Sequence, residues 1–131
     1  MNEYQLMRDS KPTDRKNDCG VISVAIATQS SYEHVEKLFA ELGRNLNRGV
    51  YLHQIVAACR ILTGLDCIKS NLAGRQRNGS RFTMKTIGKQ YPRGRYIVTC
   101  DGHVAALVDG QIMDWTAGRR HRVISIIPVS C

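Results

Sequence analysis

The first eighteen residues, MNEYQLMRDSKPTDRKND, are mostly polar and contain the turn-like KPTD, which predicts an extended arm or loop as far as Asp18. The pattern then changes abruptly. GVISVAIA is apolar at nearly every position, as expected of an element surrounded by others. Asp18 as a cap and the alanines favour a helix beginning near Cys19, with a buried strand as the competing reading. SSYEHVEKLFAELG carries a Ser cap, Glu33 near its start, Val35, Leu38 and Phe39 at helical spacing, and Gly43 as a stop, so it predicts a second helix. A third follows in GVYLHQIVAACRILTG, where Leu52, Ile55, Val56, Cys59 and Leu62 form one stripe and Gly64 closes it. Between Leu65 and Phe82 the pattern weakens to a short strand around Asp66–Ser70 and a basic loop. TMKTIGKQYP predicts a short helix ended by Pro92.

From Gly94 the period falls to two. RYIVTC, HVAALV, QIMDWT and RVISIIPV are β-rich, and two DG signals separate the first three, which predicts an antiparallel meander. Its middle strand is apolar on both faces, so the sheet is expected to be covered on both sides. Helices first and strands afterwards make an α+β class, and 131 residues suit a single domain spanning 1–131.

Charge changes the list of partners more than it changes the fold. The net charge of +8 favours encounters with anions, and much of it falls in GRQRNGSR (74–81) and GRRHR (118–122). Neither stretch is interleaved with aromatic residues, so solvated loops are the leading reading. Nucleic-acid binding through Arg119, Arg120 and Arg122 is the alternative. The five cysteines form no CxxC pair, and no zinc site is expected; at least one thiol must stay outside any intramolecular disulfide scheme. Cys59 and Cys67 read as core thiols and Cys131 as a free tail. No apolar signal core or membrane-length span is evident, and a reducing cytoplasm is the expected compartment.

The candidate chemistry comes from the second hairpin. With Asp109 and Gly110 as its turn, Val108 faces Gln111 and Leu107 faces Ile112, which puts His103 and Asp114 on one face as diagonal neighbours. A carboxylate on one imidazole nitrogen orients the ring and leaves the other to accept a proton. Cys19, opening the apolar helix, is the matching nucleophile, because a helix N-terminus and a nearby imidazolium both favour thiolate. Each residue alone has a structural explanation: a small buried thiol, a turn histidine, a carboxylate closing an edge strand. Their joint register points to nucleophilic catalysis. Cys100 lies close to His103 across a tight turn but at no helix start, and His34, His53 and His121 read as surface or packing residues.

The same order, Cys at the start of a helix and then His and Asp on a late antiparallel sheet, resembles the papain-like cysteine peptidases. NDCGVISVAIA with GHVAALVDGQIMDW is similar to their smaller bacterial branch, near the double-glycine leader peptidases. More closely still, NDCGVISVAIAT, YEHV and GRYIVTCDGHVAALVDGQIMDW resemble a group of small, largely uncharacterised proteins of bacteriophages and bacteria. The resemblance implies N-terminal helices, with a central Cys-bearing helix packed on a C-terminal antiparallel sheet. It also implies Cys19 as nucleophile, His103 as general base and Asp114 as orienting residue of a cofactor-free hydrolase. The expected substrate is a protein or peptide, cut by a monomer with no membrane partner, in the host cytoplasm if the chain is phage-encoded. Papain-like enzymes commonly place an oxyanion glutamine six positions before the cysteine, where this chain has Thr13; Asn17, or a side chain such as Gln5, is the candidate substitute. Peptidoglycan amidase or endopeptidase activity is a second reading, and a non-enzymatic basic protein binding nucleic acid or an acidic host protein is a third.

Overall fold

The computed structural model describes residues 2–131 as five helices and one five-stranded antiparallel sheet. The helices are α1 (Glu3–Ser10), α2 (Cys19–Thr28), α3 (Tyr32–Glu41), α4 (Leu52–Thr63) and α5 (Ile87–Gln90). The strands are β1 (Asn71–Leu72), β2 (Arg95–Cys100), β3 (His103–Val108), β4 (Gln111–Met113) and β5 (Val123–Pro128). No helix among the described residues is long and apolar enough to cross a membrane.

α2 is the axis of the molecule. Every residue from Gly20 to Ala27 is buried, because α1, α3, α4, β2 and β3 all pack around it. Its all-round apolar sequence is therefore explained by burial on all sides. Ile97, Ala106, Val108 and Ile127 meet the helices on one face of the sheet. On the other face Val98, Ala105, Leu107 and Ile126 pack under α5 and the segment that carries Phe82 and Met84. The doubly apolar middle strand is thus covered by helices on one side and by loops with one short helix on the other.

α3 and α4 fall where their patterns place them. Ser31 caps α3 by accepting from His34 N at 3.1 Å, and Gly43 (φ 104°) follows its end. In α4, Ile55 and Cys59 are buried and Val56 and Leu62 half-buried, while Leu52 lies exposed at the lip of a cleft. Asp109 (φ 47°) and Gly110 (φ 81°) form the β3–β4 turn and keep the expected pairs Val108–Gln111 and Leu107–Ile112. α5 crosses so close to that turn that a Cβ on Gly88 would run into the Gly110 carbonyl.

Four expectations are corrected. The polar opening is a helix, α1, because Asn2 and Gln5 form a reciprocal capping box and Tyr4 and Met7 dock on the core. The short strand lies at Asn71–Leu72 rather than at 66–70, where residues 66–67 turn, since only there does the chain reach β5 to pair with Ile126 and Ser125. The four late strands are not a simple meander: the sheet order is β1-β5-β2-β3-β4. β4 ends after three residues, and the chain passes the β2–β3 turn to start β5 at Val123, opposite Cys100. Finally, Cys67 and Cys131 are neither a core thiol and a free tail nor separate. They are joined as a disulfide with a Cα–Cα distance of 5.8 Å, because β5 returns the C-terminus to the start of β1.

Candidate active site

The junction before α2 is held by a small polar network. Asp18 precedes the helix but its side chain makes no cap bond. Its carboxylate accepts from Lys11 Nζ at 2.6 Å and from Tyr32 OH at 2.9 Å, tying α1's exit and α3 to the start of α2. Burial, reinforced by that carboxylate, pushes the Tyr32 phenol up and keeps it a donor. Asn17 adopts a left-handed conformation (φ 52°), donates from Nδ2 to Asn47 O at 2.9 Å, and has its own carbonyl facing Arg44 Nη2 at 3.5 Å. This engages one N–H of the Asn17 amide, the expected oxyanion donor, with the 44–50 loop. Gln5 is likewise engaged, in the α1 cap. The same loop lays Val50 over the first turn of α2, where a Cβ on Gly20 would strike it. With Asp18 drawn away, no side chain caps the N–H groups of that turn, which remain donors beside the thiol.

Cys19 is half-buried at this end, and β3 begins beside it. The Ser23 hydroxyl lies within hydrogen-bond distance of both Cys19 O and Val104 O (3.0 Å to the latter), which pins the first turn of α2 to the strand that carries His103. His103 Nε2 sits 2.7 Å from Asp114 Oδ2. The same carboxylate oxygen accepts from Thr116 N at 3.1 Å and from Thr116 Oγ1 at 2.7 Å, so Asp114 is fixed by its own turn before it orients the ring. Only 16% of the His103 side chain and 5% of the Asp114 side chain are exposed. Trp115 packs against His103 at a tilt of 53° with centroids 5.2 Å apart, and His121 stands edge-on to Trp115.

With Nε2 committed to the carboxylate, Nδ1 is the nitrogen left for Cys19. The electrostatics agree with that division. Burial by itself raises the Cys19 thiol, but the neighbouring His103 side chain, the Val104 backbone and the imidazolium charge outweigh it, and the thiol is lowered from its ordinary value. Asp114 first and Cys19 second raise His103 to about 9 against the opposing effect of burial. Both shifts act toward a thiolate beside an imidazolium. Burial instead pushes Cys59 up to about 12, and Cys100 is raised by burial and by the nearby Asp114. Both shifts run opposite to that of Cys19.

A cleft of about 390 Å³ opens at the thiol, with Val50, Leu52, Ile55, Leu72 and Ile124 as its apolar walls. The structure thus brings Cys19, His103 and Asp114 together at the seam between the helices and the sheet, and ties Asn17 to the 44–50 loop. His34 and His53 lie exposed on helices, apart from this group. Sequence reasoning missed Thr116, Trp115 and Ser23. Thr116 had a readable signal, an Asp two residues before a Thr that can close an Asx turn; the other two depend on contacts between distant segments. No protein-family model matches the chain, and no curated protein or solved structure matches it.

Proposed function

We propose that the protein is a cysteine-dependent hydrolase of amide or isopeptide bonds with a papain-like arrangement of its reacting groups. The observation that carries this reading is the Cys19 thiol, at the amino end of a buried helix, facing an imidazole whose far nitrogen is held by a buried carboxylate. His103 Nδ1 takes the Cys19 proton and the thiolate attacks the substrate carbonyl. The developing oxyanion faces the uncapped N–H groups of the first turn of α2, and the helix dipole favours the charge there. Collapse of the tetrahedral intermediate breaks the C–N bond, and the imidazolium gives its proton to the leaving amine. A thioester remains on Cys19; His103 then activates water, which releases the acid and regenerates the thiol. Asp114 stabilises the imidazolium throughout, and the apolar cleft suits a substrate with an aliphatic side chain near the cut bond.

Mass spectrometry after iodoacetamide and after an electrophile-tipped peptide tests the reading. Cys19 is expected to label faster than Cys59 and Cys100 in the folded protein, and His103→Ala is expected to slow it by about tenfold at neutral pH, since an ordinary thiol is only a few per cent ionised there. Equal labelling of the three thiols, unchanged in His103→Ala, would sink the proposal.

A further inference from the structure

The two basic stretches, 40 or so residues apart in sequence, form one structure. Arg75 bridges Arg81 across a tight loop, and Thr83 bridges Arg122. Met84 N donates to His121 O at 3.0 Å and Lys85 N to Arg119 O at 2.9 Å, locking the two segments side by side. Arg75, Arg81, Arg120 and Arg122 thereby line a single cleft of about 500 Å³. Among the described residues none of the four is paired with a carboxylate. Only Arg75 has a hydrogen-bond acceptor for its guanidinium, the Gly79 carbonyl at 3.1 Å. No Asp or Glu occurs between Cys67 and Cys100 or after Asp114. Four like charges gathered without an acid repel one another, and an anion relieves that repulsion.

Two chain segments lead from this cleft to the one at Cys19. Leu72 walls the Cys19 cleft and Arg75, three residues on, lines the basic one; Arg122 lines the basic cleft and Ile124, two residues on, walls the other. At about 3.3 Å per extended residue the two lips lie within about 10 Å of each other. No aromatic side chain lines the basic cleft, so it lacks a platform for stacked bases, whereas guanidinium forks match carboxylates in pairs.

We propose that the arginine cleft holds an acidic stretch of the substrate polypeptide, about three residues from the segment seated over Cys19. The assignment rests on the hydrolase reading for the word substrate, while the carboxylate site itself stands on the cleft.

Fluorescence anisotropy on the full chain carrying Cys19→Ala, which binds without turnover, tests it. The probes are labelled peptides with one leucine and, three residues away, four glutamates, in both chain directions, against the same peptides with glutamines. The glutamate peptide in one direction is expected to bind about tenfold more tightly at low salt, with the preference lost at about 1 M salt, where charges are screened beyond about 3 Å. The preference is also expected to vanish in Arg75→Gln/Arg120→Gln/Arg122→Gln and to survive in Lys16→Gln/Lys37→Gln/Lys89→Gln, which removes the same charge elsewhere. Equal affinity for the two peptides, or equal loss in both triple variants, overturns the proposal. Tighter binding of an oligothymidylate of the same charge also overturns it and gives the cleft to nucleic acid. Iodoacetamide labelling of Cys19 in the unsubstituted chain, run in parallel, separates the two readings: an inert Cys19 with intact glutamate preference removes the hydrolase and keeps the carboxylate site.

Discussion

The two halves of the chain use charge in opposite ways. Residues 1–66 hold eight Lys and Arg and eight Asp and Glu, whereas residues 67–131 hold eleven and three, so the whole net charge of +8 belongs to the second half. In the helical half the charges are structural: Lys11 with Asp18, and Arg15 with Glu36 at 2.7 Å, fasten segments to one another. In the sheet half the one buried carboxylate, Asp114, orients His103, and the arginines of residues 75–81 and 120–122 stay uncompensated. The Cys19–His103 pair spans the boundary, with one residue from each half. A balanced half therefore builds a rigid mount for the thiol, and an unbalanced half carries the imidazole–carboxylate pair and the positive field.

The largest effect expected from breaking this contrast is at Asp18. Asp18→Ala leaves Lys11 Nζ and Tyr32 OH without their acceptor in a nearly buried site, which costs about 2–3 kcal/mol. Urea denaturation followed by circular dichroism measures it, and a loss below about 0.5 kcal/mol, the range of ordinary surface changes, denies these charges a structural role. Asp114→Asn comes next and acts on chemistry. It replaces the carboxylate whose hydrogen bond, ahead of its charge, raises His103, so the imidazolium is less available and Cys19 alkylation at neutral pH is expected to slow by about tenfold. The fold should persist, because the amide oxygen still accepts from Thr116.

How much of this was legible follows the range of the interactions. α2 and the β3–β4 hairpin are local: an all-apolar run after Asp18, and a DG turn that sets the register, were enough to bring Cys19, His103 and Asp114 to one site. α1 was also local, and its signal, Asn2 and Gln5 at capping-box spacing, was masked by a polar composition that leaves no residue of the helix fully buried. The rest depends on which distant strands pair. β5 lies beside β2 rather than β4, and that one placement brings Cys131 to Cys67 and sets Arg122 near Arg75. Period-two patterning identifies a strand but not its neighbour, so the disulfide and the arginine cleft lay beyond it.

The pH dependence of stability sharpens the seam between the halves. His103 is raised to about 9 when folded against about 6.5 unfolded, so taken alone it adds stability that is complete below about pH 6.5 and lost as pH rises through 9. Cys19 is lowered, so it adds stability present above the ordinary thiol pKa of about 8.5 and lost as pH falls through its folded value. Between about pH 6.5 and 9 the two contributions oppose each other, His103 lowering stability as pH rises and Cys19 raising it, so the stability of the protein should fall less steeply there than His103 alone would make it. Cys19→Ser removes one side of the balance, and stability should then decline with rising pH by up to about 1.4 kcal/mol per unit. Denaturant titrations of both proteins across this range check it; identical slopes mean that thiol and imidazole are uncoupled.

The smallest effect is expected at the arginines, and its smallness is the point. Arg120→Gln and Arg122→Gln remove exposed guanidiniums that make no hydrogen bond or ion pair among the described residues, so each should change stability by no more than about 0.5 kcal/mol. The sign should be favourable, since each change relieves repulsion from the other arginines of the cleft, and the gain should shrink as salt rises. Thermal melts at low and high salt measure both features. A loss of stability as large as that at Asp18 would make these arginines fasteners like Lys11, and the contrast between the halves would disappear.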